Sequence, residues 1–138
     1  MPRTHAMLRH LAIALTALLF ATTAQALGLG DIKTESKLGE PLAAQITLTN
    51  TDGLTEDDLI VGIADVKAYE RMGIEREYLH TRLQFATTID KKTGQSVVQV
   101  TTKEAITTPV INFVLHVRWP KGNAMRAYTI LLDTPLGH

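Results

Sequence analysis

The sequence contains no cysteine, only two serines and few aromatic residues, which make up 5% of its 138 residues. The lack of cysteine excludes disulfide bonds, thiolate nucleophiles, cysteine-ligated zinc sites and a lipid-modified cysteine anchor. Neither charge sign predominates, because 14 basic residues balance 14 acidic ones. The basic excess of nucleic-acid-binding proteins is missing, so we expect no nucleic-acid partner. The remaining composition, with 45% hydrophobic residues, is typical of one folded globular domain.

The first 26 residues have the three parts of a secretory signal peptide. Arg3 and Arg9 form a basic start, residues 11–21 are an uninterrupted apolar run, and Ala24 and Ala26 are the small residues that precede a cleavage site. The alternative is an uncleaved membrane anchor, but this apolar run is much shorter than the roughly 20 residues that a spanning helix needs. We therefore predict export and cleavage after Ala26, which leaves residues 27–138 as the mature domain.

The mature chain is predicted to consist mainly of strands, because apolar and polar residues alternate in most of its segments. The alternation is clearest in residues 110–119, where five large apolar side chains share one face: Ile111, Phe113, Leu115, Val117 and Trp119. The predicted strands are residues 31–36, 42–49, 59–64, 83–90, 96–102, 110–119 and 124–133. Seven short strands separated by turns predict an all-β fold, an immunoglobulin-like antiparallel β-sandwich.

A single segment favours an α-helix. Asp65 is a suitable N-cap for a helix over residues 66–72, and Gly73 is a suitable end. Val66, Tyr69 and Met72 are spaced three residues apart, which predicts that they form the apolar face of this helix. The fold is therefore expected to contain one short helix between its strands.

Few residues could carry catalysis or bind a metal. The mature chain has three histidines: His80 in a loop-like stretch, His116 on the more polar face of its strand, and the terminal His138. A transition-metal site needs three or four ligands, and no second histidine stands at helical or hairpin spacing. Ser36 and Ser96 lie in predicted strands and outside any G-x-S-x-G nucleophile motif. We therefore predict no enzymatic activity, no catalytic or metal-binding residue and no cofactor.

Two further motifs have structural explanations. The acidic run at residues 56–58 lacks the alternating ligands and the glycine of a calcium loop. Thr55 and Asp58 instead have the spacing of a helix N-cap, which predicts one capped turn. Residues 27–30 place two glycines before any predicted strand, which predicts a flexible N-terminal segment and not a phosphate-binding loop.

Two stretches of the mature chain carry distinctive motifs. Residues 27–48 have a Leu-Gly-Asp-Ile start, a Ser-x-Leu-x-x-Pro-Leu turn and an alternating strand. Residues 109–133 have P-x-x-N-F-x-x-x-V-x-W-P-x-G, followed by an R-x-Y-T strand that ends in L-L-D. Both stretches resemble the N-terminal periplasmic domain of the FimV family, the pilus-assembly and cell-pole hub proteins of Gram-negative bacteria. The matching residues in the second stretch are Pro109, Asn112, Phe113, Val117, Trp119, Pro120, Gly122, Arg126, Tyr128, Thr129 and Leu131 to Asp133.

The resemblance does not extend to the LysM module, the membrane-spanning helix or the cytoplasmic acidic repeats of that family. Both a stand-alone homologue and a truncated reading frame fit this sequence. The resemblance implies a periplasmic module, without enzymatic activity, that supports pilus, secretion or polar assemblies. We therefore expect a protein-interaction or scaffold role, with periplasmic or inner-membrane envelope proteins as partners.

The alternative function is a secreted module that binds peptidoglycan or another carbohydrate through exposed aromatic side chains. The sequence assigns no residue to binding in either case. The polar strand at residues 31–36 is the best candidate contact for a protein partner, because an unpaired sheet edge can accept a strand. The charged side chains of Lys33, Glu35 and Lys37 argue against pairing, since charges on an edge commonly prevent it.

Overall fold

The computed structural model describes residues 26–134. The predicted signal peptide, apart from Ala26, and the terminal His138 lie outside this range. The seven strands are β1 (Gly28–Thr34), β2 (Pro41–Thr49), β3 (Ile60–Ile63), β4 (Gln84–Ile89), β5 (Ser96–Ala105), β6 (Val110–Trp119) and β7 (Gly122–Leu131). One α-helix, α1 (Val66–Met72), and two 3₁₀ helices, Glu56–Asp58 and Tyr78–Arg82, lie in the connections. Among these helices none has the length and hydropathy needed to cross a bilayer.

The strands form two antiparallel sheets. β1, β2, β5 and β4 are neighbours in that order in one sheet, and β3, β6 and β7 form the other. This is the order of a constant-type immunoglobulin domain, in which strands A, B, E and D face strands C, F and G. The predicted immunoglobulin-like sandwich is confirmed, and the structure adds the connectivity, which the sequence pattern left open.

The core lies between the sheets and is centred on β6. The apolar face predicted for β6 is buried as expected, with the last of its residues only half-buried: Ile111, Phe113, Leu115, Val117 and Trp119. The Phe113 ring packs against Tyr128 of β7 at a centroid distance of 5.7 Å and against Phe85 of β4 at 6.3 Å. Phe113 therefore joins the two sheets at the middle of the core.

Both predicted caps are present. Ala68 N donates to Asp65 Oδ1 at 2.9 Å, and Gly73 ends α1 with a φ of 69°, a left-handed conformation that glycine adopts without strain. Thr55 N donates to Asp58 Oδ2 at 2.8 Å and caps the first 3₁₀ helix. These short-range features follow directly from the local sequence.

The apolar face predicted for α1 is only partly correct. Tyr69 is buried together with Ala68, but Val66 and Met72 are 50% and 43% exposed. Tyr69 and Ala68 pack with Val114, on the side of β6 that faces away from the core. A helix of two turns meets a sheet only over its central residues, so the side chains at its ends remain in solvent.

The prediction of a flexible segment at residues 27–30 is wrong. Leu27 is only 5% exposed and packs in the core, and residues 28–30 begin β1. A Cβ atom at Gly30 would lie 2.9 Å from the Thr47 carbonyl oxygen. The glycine thus permits a close approach between β1 and β2 and does not mark flexibility.

Three predicted strand boundaries, the end of β1 and both ends of β7, also move by two residues, and β5 extends three residues beyond its predicted end, to Ala105. β1 ends at Thr34, because the next two residues both direct their N–H groups to the Ala43 carbonyl oxygen, at 2.8 and 3.3 Å. Ser36 therefore lies after the strand. β7 begins at Gly122, because Trp119 pairs with Gly122 across a two-residue loop.

Candidate interaction surfaces

β1 is an edge strand, as predicted, but its edge is irregular. Its register with β2 shifts between Leu29 and Ile32, which places a β-bulge at Gly30 and Asp31. Bulges and charged side chains are two means by which edge strands avoid pairing with other chains. β1 combines both, since Asp31 and Lys33 are exposed.

Two side chains of β7 form hydrogen bonds with β1 at this bulge. Arg126 Nη1 donates to the Leu29 carbonyl oxygen and Arg126 Nη2 to Asp31 Oδ1, both at 3.0 Å. Tyr128 Oη donates to the Gly30 carbonyl oxygen at 2.7 Å. Burial raises the pKa of Tyr128 to about 12, so this hydroxyl remains a donor at neutral pH. The contacts close one side of the sandwich, and they weaken the hypothesis that a partner strand docks on residues 31–36.

The Tyr69 side chain forms a hydrogen bond with the β6 backbone just beyond the end of β3. Ala64 N donates to the Val114 carbonyl oxygen at 3.0 Å, just after the last residue of β3. Val114 N donates to Tyr69 Oη, also at 3.0 Å, so a side chain takes the place of a strand residue. Val114 is fully buried, although the alternation placed it on the more polar face of β6. No pattern in the sequence indicated this contact.

His80 is buried beside Tyr69. The sequence placed His80 in a loop, whereas the structure places it in the second 3₁₀ helix, with an exposed fraction of 1%. The two rings lie 5.3 Å apart between centroids. Neither ring nitrogen of His80 makes a hydrogen bond with the part of the chain that the structure describes. An imidazole in this position is favoured in its neutral form, because a buried charge needs a partner.

Burial is the main influence on the protonation of His80, and it lowers the pKa of the imidazole below the ordinary 6.5. The Glu77 carboxylate and the Asn112 backbone carbonyl oppose this effect less strongly, and the Arg76 guanidinium adds to the lowering. His80 therefore takes up a proton less readily in the folded domain than in the unfolded chain.

We expect the free energy of unfolding to fall as the pH is lowered through about 6.5, because the unfolded chain then binds a proton that folded His80 does not. The loss begins near the unfolded pKa and continues down to the folded pKa. Urea unfolding at several pH values between about 8 and 5 measures it. His80→Phe should flatten this part of the curve. An equal decline in His80→Phe would contradict the assignment.

An open depression of about 390 Å³ lies at the end of the sandwich where the chain enters β1. Its lining includes Trp119 together with Asn50, Asp52, Asp58 and Lys121. An aromatic ring beside amide, carboxylate and ammonium groups offers both stacking and hydrogen bonds to a polar ligand. The depression therefore fits the carbohydrate alternative.

The candidate reactive residues are engaged in separate contacts. Ser96 Oγ and Thr51 Oγ1 are hydrogen-bonded at 2.6 Å, and Ser36 Oγ accepts a backbone hydrogen bond at 2.9 Å. His116 Nε2 lies 3.2 Å from Asn123 Oδ1 on the neighbouring strand, so it forms a cross-strand hydrogen bond. Over residues 26–134, no three histidine, aspartate or glutamate side chains come together as a metal-binding group.

Comparison with known proteins agrees with this architecture. A family model described as the FimV N-terminal domain, an Ig-like domain, matches residues 27–135. The chain belongs to the FimV family. It is 38% identical over 125 residues to the motility hub protein FimV of Pseudomonas aeruginosa PAO1, an alignment that covers 91% of this chain and 14% of the relative. The protein of the same name from strain UCBPP-PA14 is also 38% identical over 125 residues, which cover 13% of its length.

The residues that carry the resemblance to the FimV family have structural contacts in this domain. Arg126 and Tyr128 hold β1 against the second sheet. Asn112 Oδ1 accepts a hydrogen bond from Thr129 Oγ1 at 2.6 Å, across β6 and β7. The Trp119 ring lies so close to the hairpin that a Cβ at Gly122 would be 3.2 Å from it. These contacts stabilise the FimV-type sandwich, and each is internal to the fold.

Proposed function

We propose that this domain is a non-enzymatic periplasmic protein-interaction module of an envelope assembly, such as a type IV pilus or a secretion machinery. Its membership of the FimV family carries the proposal, because 91% of the chain aligns with a protein described as a motility hub. A hub acts by contacting other proteins, and the aligned region is a sandwich that can bind a partner through its exposed surface. The partners are periplasmic or inner-membrane envelope proteins.

Exposed apolar side chains on the connection between β3 and β4 support this function. Val66, Met72 and Tyr78 are 50%, 43% and 73% exposed. All three lie on the connection between β3 and β4, and exposed apolar side chains contribute to protein-interaction sites. We name residues 65–82 the α1 segment and expect it to contribute to the partner contact.

Crosslinking in cells tests the proposed function. A photoreactive amino acid at position 72 or 78 should capture a discrete envelope protein, whereas the same group at Lys92, on the β4–β5 hairpin, should not. Each adduct is identified by mass spectrometry and checked by tagging the captured protein. Adducts with glycan alone, or identical adducts from all three positions, would contradict a protein-binding α1 segment.

Export followed by cleavage after Ala26 is part of the proposal. We expect the N-terminal sequence of the protein isolated from the periplasm to begin at Leu27. Leu27 is only 5% exposed and packs in the core, so the first residue of the predicted mature domain belongs to the core. Edman sequencing or intact mass measures the new terminus. A membrane-bound product that retains Met1 would reject the prediction.

The second candidate function is binding of peptidoglycan or another carbohydrate, and the depression beside Trp119 favours it. Co-sedimentation of the purified protein with isolated sacculi tests this function directly. Asp52→Ala, inside the depression, should then reduce the bound fraction several-fold, whereas Asp57→Ala, an exposed acid outside its lining, should not. The carbohydrate function fails if the wild-type protein stays in the supernatant.

A further inference from the structure

The peptide bond between Ala26 and Leu27, where we predict cleavage, is held by contacts of the fold. The Leu27 side chain is only 5% exposed and packs in the core, and the next residue, Gly28, pairs with Thr49 at the end of β2. Asn50 directly follows β2, and its Nδ2 donates to the Ala26 carbonyl oxygen at 3.1 Å. The Leu27 nitrogen, which is bonded to that carbonyl group, is therefore held beside the Asn50 amide.

Leu27 and Asn50 both line the depression of about 390 Å³ at this end of the sandwich. Its charged side chains are the carboxylates of Asp52 and Asp58 and the ammonium group of Lys121. The lining thus carries one more negative charge than positive charge. One further cation would make the lining neutral, so the Coulomb interaction favours a cation here over an anion.

We propose that cleavage creates the cation that this depression binds, which is the α-ammonium group of Leu27, paired with the carboxylates of Asp52 and Asp58. Hydrolysis adds one water molecule to the scissile bond. The Ala26 carbonyl carbon gains the water oxygen and leaves as a carboxylate, and the Leu27 nitrogen gains both water protons and remains as an ammonium group. Because the Leu27 side chain is anchored in the core, this nitrogen stays at the depression.

The Asn50 side chain adapts to the new terminus. Cleavage removes the carbonyl oxygen to which Asn50 Nδ2 donates and puts an ammonium donor in the same place. Rotation of the amide by half a turn exchanges its nitrogen and its oxygen, so Oδ1 can accept a hydrogen bond from the ammonium group. Asn50 thus has a partner in the precursor and in the processed domain.

This inference rests on the proposed cleavage after Ala26, and it goes beyond the proposed function because it concerns what the new terminus does within the domain. The precursor cannot form the ion pair, since its Leu27 nitrogen belongs to an uncharged amide. The lining of the depression is therefore neutral only after processing, which also changes the charge that any ligand of this depression meets.

Titration of the Leu27 α-amino group tests the pairing. The mature chain, residues 27–138, contains every described strand and is released from a fusion partner by a protease that leaves Leu27 as the first residue. Isotope-labelled methyl groups on the amine report its protonation by NMR. Combined replacement of the carboxylates, Asp52→Asn with Asp58→Asn, should lower the pKa of this amine by about 0.5 or more, because opposite charges favour the protonated form. Asp57→Asn, an exposed acid outside the lining, should leave the pKa unchanged.

A chain that begins at Ala26 is the matched control. It retains the carbonyl group that Asn50 binds and moves the terminal charge one residue outward, to an exposed position. Replacement of the two carboxylates should therefore shift its α-amino pKa less than half as much. Equal shifts in both chains, or no shift in the chain that begins at Leu27, overturn the pairing. A periplasmic protein with a different first residue would instead reject the cleavage site, so the two failures are distinguishable.

Discussion

Phe113→Ala is expected to lower the free energy of unfolding by about 3–5 kcal/mol. The Phe113 side chain is fully buried and contacts Tyr128 in its own sheet and Phe85 in the opposite one. Truncation removes the transfer free energy of the ring and leaves a cavity that the two sheets cannot close without moving relative to each other. Urea unfolding followed by circular dichroism measures the loss.

Arg118→Ala is the control for Phe113→Ala, because Arg118 lies on the same strand but is exposed. Its effect should stay within about 0.5 kcal/mol, as for most surface substitutions. A loss below about 1 kcal/mol in Phe113→Ala would mean that the buried face of β6 has been assigned wrongly. The comparison of the two variants thus separates the core face from the solvent face of one strand.

Tyr69→Ala is expected to cost about 3 kcal/mol or more, by analogy with the truncation of other large buried side chains. Tyr69 is 1% exposed, packs with Val114 and His80, and accepts the hydrogen bond of Val114 N. Tyr69→Phe retains the ring and leaves Val114 N without its partner, so we expect a smaller cost of about 1–3 kcal/mol.

The two Tyr69 variants separate packing from hydrogen bonding. Urea unfolding gives both free energies, and hydrogen exchange of the Val114 amide should become faster in Tyr69→Phe while the amides of β2 and β5 are less affected. Tyr69→Phe with unchanged stability and unchanged exchange at Val114 would show that the hydroxyl does not complete the β6 hydrogen bonding. Lys67→Ala, an exposed change in the same helix, controls for effects on α1 itself.

Local sequence was sufficient to locate most elements of the fold. Asp65 and Gly73 mark the ends of α1, because capping depends on atoms within three residues along the chain. The alternation in β6 identifies its core face, because successive side chains of a strand point to opposite sides. The motifs at residues 27–48 and 109–133 were also sufficient to recognise the FimV family, which the family model confirms.

Alternation fails where the two sides of a strand are both covered. Val114 looks like an outward residue of an ordinary half-buried strand, and it is buried only because α1 packs across that side of β6. His80 has no periodic pattern around it, and its burial depends on Tyr69, eleven positions earlier, and on the path of the chain between them. The contact of Val114 with Tyr69 joins residues 45 positions apart, so no short window of sequence contains it.

The order of the strands and the state of their edges were decided by the tertiary structure. Strand-like patterns show that β1 and β7 exist, but only the sandwich brings Arg126 within 3.0 Å of Asp31, 95 residues earlier. That contact occupies the edge that the sequence favoured for a partner, because it holds β1 against β7. The physical reason is that every strand carries backbone N–H and C=O groups that can form hydrogen bonds, and the local sequence already predicts them. Which neighbouring strand or side chain pairs with these groups depends on how the two sheets pack together.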